Sequence, residues 1–254
     1  MLNVKESLFF SRFRIHFHRL LILRSVVIAV VPLLLLAGFP STASAFWLLG
    51  FSDANTLPPQ ALGMIAGTGG QYANVGNPSK SSSTIFLPHA GFRLGLADNF
   101  DIGYRLTQVA LPFSSVGPSL GTEVDVKYRF TRPEAAWQAA FVAGAAYASL
   151  DLSGQTKNAW SPGVDLIVSK ALTEKYTFIS ELRYVYTAIP TAPGGVSQNN
   201  VGALGTDIGL KIKLTDRVSL IPEFGIFDLR GSLIGNRANG IAVQAGAVLS
   251  ARVW

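Results

Sequence analysis

The sequence predicts one transmembrane antiparallel up-and-down β-barrel of about ten strands behind a cleavable export signal. Three observations carry this. Apolar and polar residues alternate with a period of two through much of the chain, short and long connections follow one another in turn, and the first 45 residues have the layout of a secretory signal.

The signal comes first. Residues 1–24 carry Lys5, Arg12, Arg14, Arg19 and Arg24, residues 25–39 hold no charge, and Ala43-Ser44-Ala45 is a small-x-small cleavage site read at Ala43 and Ala45. The competing reading is an uncleaved inner-membrane anchor, and the shortness of the apolar run favours cleavage. The expected division is a signal peptide at 1–45, a periplasmic N-terminal segment at 46–58 and the barrel at 59–254. Residues 46–51 (Phe-Trp-Leu-Leu-Gly-Phe) are apolar and either cover the lower mouth of the barrel or lie at the periplasmic interface.

Composition narrows the class. Only 14% of residues are charged, below the roughly 25% of an ordinary soluble domain, while 25 Gly and 16 Phe accompany an apolar share of 49%. Of the net charge of +6, the signal region holds +4, with Glu6 its one acid, which leaves +2 on the mature chain. No basic stripe remains for a nucleic acid. The absence of cysteine excludes disulfides, thiolate metal sites, a Cys nucleophile and the acylated cysteine of a lipoprotein.

After the signal no segment reaches the 18 or so apolar residues of a membrane helix, so a chain that spans the bilayer must close as a barrel. Residues 101–106 (Asp-Ile-Gly-Tyr-Arg-Leu), 123–130 (Glu-Val-Asp-Val-Lys-Tyr-Arg-Phe) and 207–214 alternate strictly, and 176–186 and 218–227 do so less cleanly. Ten strands are predicted at about 60–72, 84–97, 99–107, 119–131, 136–149, 159–171, 174–187, 201–214, 217–229 and 239–253. Merging or splitting a hairpin would give eight or twelve. The connections at 98–99, 131–135, 172–173 and 215–216 are short, and those at 73–83, 109–118, 151–158, 188–200 and 230–238 are longer and rich in Gly, Pro or polar residues. This is the pattern of short periplasmic turns and long outer loops, and it puts both mature termini in the periplasm. Phe100, Phe130, Trp137, Tyr176 and Trp254 gather near the short turns and Trp160 near the long loops, as two interfacial girdles would.

In the segments Gly-Phe-Arg-Leu-Gly-Leu (91–96), Asp-Ile-Gly-Tyr-Arg-Leu (101–106) and Asp-Val-Lys-Tyr-Arg-Phe (125–130), and in its aromatic last residue, the chain resembles the small Gram-negative outer-membrane β-barrels of the outer membrane protein A and W types, over 57–254. The resemblance implies insertion by the barrel-assembly machinery after export, and surroundings of outer-membrane lipid and lipopolysaccharide. In one respect the chain departs from it: Ile241, Val243, Ala245, Ala247, Leu249, Ala251 and Val253 share a face, and Trp254 falls on the other.

With the charged face inward, the lumen would hold Arg93, Arg105, Lys127, Arg129, Arg183, Lys211 and Lys213 against Asp101, Glu123, Asp125, Asp165, Glu181, Asp207 and Glu223. Seven cations meet seven anions, which argues for a salt-bridged lumen that fixes strand register. The mature chain has one histidine, His89, which a hydrolase would need as its proton carrier. A structural role suits it better, so no catalytic residue is assigned. Without clustered histidines no metal site is expected, and no glycine pair precedes a helix that could cradle a cofactor phosphate, so no cofactor is expected either. Two functions remain: a structural or surface-interaction barrel making its contacts through the loops 109–118 and 188–200, with an external ligand the sequence does not name, and a narrow porin-like channel lined by Arg93, Arg105, Lys127 and Arg183. An envelope hydrolase ranks last.

Overall fold

The computed structural model describes residues 52–76, 80–109, 119–152, 155–189, 199–233, 236–237 and 239–253. The signal region with Ala43 and Ala45, residues 46–51, most of the loops 109–118 and 188–200, and Trp254 lie outside this set.

Among the described residues eleven strands are formed: β1 (Leu62–Gly76), β2 (Lys80–Ala97), β3 (Phe100–Val109), β4 (Ser119–Arg129), β5 (Gln138–Leu152), β6 (Gln155–Ala171), β7 (Tyr176–Ile189), β8 (Asn199–Lys213), β9 (Val218–Leu233), the two-residue β10 (Asn236–Arg237) and β11 (Gly240–Arg252). Each pairs antiparallel with its neighbour, β9 pairs with β11, and β11 pairs with β1, so ten strands close into a ring with β10 as a short extension on β9. Among the described residues closure pairs both edges of each of the ten wall strands, which a spanning sheet requires where no water can satisfy the backbone.

Alternation sets the two surfaces. In β4, Glu123, Asp125 and Lys127 are 5%, 5% and 2% exposed, while Val124, Val126 and Tyr128 are 48%, 37% and 47% exposed. The other strands repeat the inversion, with Leu182, Leu204, Ile208, Phe224 and Ile241 on the outside. Polar inside and apolar outside is the polarity of a barrel whose solvent is lipid.

The short turns are built by their own sequences. Leu172-Thr173-Glu174-Lys175-Tyr176 and Leu214-Thr215-Asp216-Arg217-Val218 share one pattern, and in each the threonine Oγ1 accepts hydrogen bonds from two backbone amides. Thr173 accepts from Lys175 (3.2 Å) and Tyr176 (3.1 Å), and Thr215 from Arg217 (3.2 Å) and Val218 (3.0 Å). The long-loop end differs from expectation. β1 and β2 run to Gly76 and Lys80, and β5 and β6 to Leu152 and Gln155, so the predicted loops at 73–83 and 151–158 are largely strand.

The girdle residues face outward. Phe130, Trp137, Trp160 and Tyr176 are exposed and Phe100 partly so. Lys170 Nζ lies 4.9 Å from the centre of the Trp137 ring, and Tyr147 and Trp160 meet edge-on at 4.7 Å.

Candidate functional site

The site is the lumen, and it is filled from the short-turn end upward. Residues 52–60 fold into the mouth as a plug. Ala54 is fully buried against Ala140, Ile167, Ile179 and Ile221, and its amide donates to Ser169 Oγ at 3.2 Å. Lys127 Nζ donates to Ser52 Oγ (2.8 Å) and to the Asp53 carbonyl (3.0 Å), Lys211 Nζ donates to Asp53 Oδ2 (2.9 Å), and the Leu57 amide donates to Asp101 Oδ2 (3.1 Å). Burial alone raises the Asp53 carboxyl, but the charges of Lys211 and Lys127 hold it down at about 2. The described part of the expected periplasmic segment is thus inside the mouth of the barrel. A signal was present in the polar stretch Ser52-Asp53-Ala54-Asn55, yet without periodicity it gave no direction.

Above the plug, the charges divide into two groups. On the β2–β4 side, Arg93 bridges Asp101 and Asp125, Lys127 stands 3.9 Å from Asp101, and Arg105 lies 3.7 Å from Glu123. Arg129 sits lower and donates to the Asp98 carbonyl at 3.0 Å. On the β6–β8 side, Arg183 pairs with Glu181, with Asp207 at 3.2 Å and with Asp165 at 3.7 Å. Glu223, buried on β9, adds a fourth carboxylate acting on this guanidinium, which also lies over the Phe227 ring at 5.9 Å. Glu181 and Asp207 are direct cross-strand partners, a like-charge pairing that needs the cation between them.

Thirteen of the fourteen predicted lumen charges are enclosed or partly so. The remaining one, Lys213, stands at the rim and pairs with Asp216 at 2.7 Å, a contact that lowers the Asp216 carboxyl. Glycines make room for the long side chains: a Cβ on Gly209 would meet Glu223 Cγ at 2.6 Å. Higher in the lumen His89 is 1% exposed, and its Nδ1–H donates to the Leu87 carbonyl at 3.1 Å. Gln71 and Gln244, paired across β1 and β11, are buried polar residues that the charge pattern did not single out, as are Ser161 and Thr187, whose hydroxyls lie 2.9 Å apart. An apolar layer of Val185, Val201, Phe227 and Leu229 with small alanines lies toward the long-loop end.

Two spaces remain. A cavity of about 30 Å³ lies among Arg93, Arg105, Glu123, Asp165 and Arg183, room for one or two waters. A second, of about 420 Å³, opens at the short-turn end beside the plug. Among the described residues no three or more acidic or histidine side chains converge in a metal-holding arrangement.

Closed strand ring, apolar exterior and charged interior define a membrane-spanning β-barrel. No family model matches the sequence, and no curated protein matches it. Among solved structures the chain is similar to the outer membrane protease OmpT of Escherichia coli (10% identity, 79% of this chain and 100% of that one, TM-score 0.44). It is likewise similar to an outer membrane channel of Pseudomonas putida F1 (11%, 80% and 99%, TM-score 0.47) and to Neisserial surface protein A (12%, 75% and 96%, TM-score 0.30).

Proposed function

We propose that the protein is a closed outer-membrane scaffold, without enzymatic activity, that works through the strand extensions and loops at its long-loop end. One observation carries this reading: the paired charges of the β2–β4 and β6–β8 sides approach one another in the lumen around a cavity of about 30 Å³, and the plug backs them from below. A hydrated solute has no route through such a layer, because parting the pairs strands charge in a confined space at several kcal/mol per ion. His89 is buried, its Nδ1 engaged by its own strand, which supports a structural role. In this reading the short turns and both mature termini face the periplasm, and the protein reaches the outer membrane through the export and barrel-assembly machineries. Outer-membrane lipid and lipopolysaccharide then surround the apolar band.

The test has two parts. The protein from the outer-membrane fraction should migrate faster unboiled than boiled, and proteoliposomes carrying it should swell in small sugars or amino acids no faster than empty ones. Rapid swelling would favour the narrow channel, and a soluble periplasmic protein without heat-modifiability would overturn both.

A further inference from the structure

The open cavity beside the plug has a charge pattern that neither the scaffold reading nor the lumen network uses. Its rim is formed by Lys175, Lys211, Lys213, Arg217 and Arg252 against Asp53, Glu174 and Asp216. Two of these cations are committed, Lys211 to Asp53 and Lys213 to Asp216. Lys175 lies over the Tyr176 ring at 5.6 Å. Among the described residues neither Arg217 nor Arg252 forms an ion pair with a carboxylate, although Asp216, held chiefly by Lys213, also feels the Arg252 charge. Arg217 Nη1 reaches only the Val253 carbonyl, at 3.4 Å, and both arginines are exposed.

Their placement is built into the fold. Lys175 and Arg217 occupy the same position of two turns with one sequence pattern, Leu-Thr-acid-base. The Arg252 amide donates to the Arg217 carbonyl at 2.8 Å, which sets the two arginines side by side across β9 and β11. Three cations from separate segments therefore border one recess whose volume, about 420 Å³, lies in the range of small-molecule pockets.

We propose that this recess binds a small, soluble, multiply charged anion, a compound with two or more phosphate or carboxylate groups, held chiefly by Arg217 and Arg252 with Lys175. Paired guanidinium forks match such groups by bidentate hydrogen bonds, and the rim's surplus of positive charge attracts them from solution. The cavity lies within the ring of strands, away from the lipid-facing band, so the anion comes from the aqueous phase and not from a lipid headgroup.

The experiment titrates inorganic tripolyphosphate into the intact barrel in an uncharged detergent by calorimetry, at low and at high salt. Saturable one-site binding is expected, weakening with salt. Arg217→Ala with Arg252→Ala should weaken it at least tenfold, while Arg230→Ala with Arg237→Ala at the opposite end leaves it unchanged. Both double variants replace exposed side chains, and an unaltered heat-modifiable gel shift establishes that each is folded. No binding up to millimolar anion, or an equal loss in the two variants, would overturn the proposal. Phosphate-bearing lipid vesicles that displace tripolyphosphate would also overturn it, by giving the site to a headgroup.

Discussion

Lys211 and Asp53 meet at 2.9 Å although 158 residues separate them, and with the Lys127 bonds to Ser52 and the Asp53 carbonyl this contact holds the plug in the mouth of the barrel. Asp53→Asn removes the charge and leaves the shape. It should loosen the plug by about 1–2 kcal/mol, discounted because Lys211 is partly exposed, and should make the bonds around Ser52–Gln60 more susceptible to protease in detergent.

The same contact fixes a pH dependence. The Asp53 carboxyl sits at about 2 in the folded barrel against 3.8 ordinarily, so its contribution is present in full above about pH 4 and is lost as pH falls through 2. Hydrogen exchange of the Ala54 and Leu57 amides, corrected for intrinsic rates, should match between wild type and Asp53→Asn near pH 2 and diverge above pH 4. A constant difference across that range would contradict the assignment.

Arg183 is the cation on which the acidic side of the lumen depends. Arg183→Ala leaves Glu181, Asp207 and Asp165 without their shared partner and should cost about 3–5 kcal/mol, read as a lower denaturant midpoint for loss of the gel-shifted form. Adding Glu181→Gln and Asp207→Asn to that variant should restore much of the loss.

Gly144 faces Asp125 on β4, and a Cβ there would fall 2.7 Å from the Val124 carbonyl oxygen and 2.8 Å from Asp125 Cβ. Gly144→Ala should therefore destabilise the barrel by about 1–3 kcal/mol, because the strand pair must part to admit it. The same denaturant titration measures it.

On the outer face Ile208 lies mid-strand and is 54% exposed. Ile208→Arg should cost about 2–4 kcal/mol in folding titrations into liposomes, and Leu214→Arg, beside a short turn, about 0–1 kcal/mol. Equal costs would contradict the depth that the strand register assigns.

How much of this was legible in the sequence depended on where periodicity survives. Residues 101–106 and 123–130 alternate because one face meets lipid and the other meets charge, so strand and face could both be read, while the register came only with the fold. The short connections at 172–173 and 215–216 could be read as well, but not the threonine-capped turn pattern that they share. At 73–83 and 151–158 the sequence is rich in Gly, Ser, Asn and other polar residues without alternation, so it reads as loop, although the backbone ladder runs to Gly76 and Lys80 and to Leu152 and Gln155. The plug at 52–60 is irregular and carries no period at all. In the lumen, the overall balance of seven cations and seven anions concealed the crowding of carboxylates around Arg183. Counting sums the whole face, while the fold sorts charges by strand and height.

The closed lumen is tested most directly by single-channel recording of the purified barrel in planar bilayers, beside Asp53→Asn and Arg183→Ala. If the charge layer closes the lumen above the plug as proposed, no discrete conductance steps are expected from wild type or from Asp53→Asn, and intermittent small openings are expected only from Arg183→Ala. Steady conductance steps from the wild-type barrel would contradict it and would make the protein a channel.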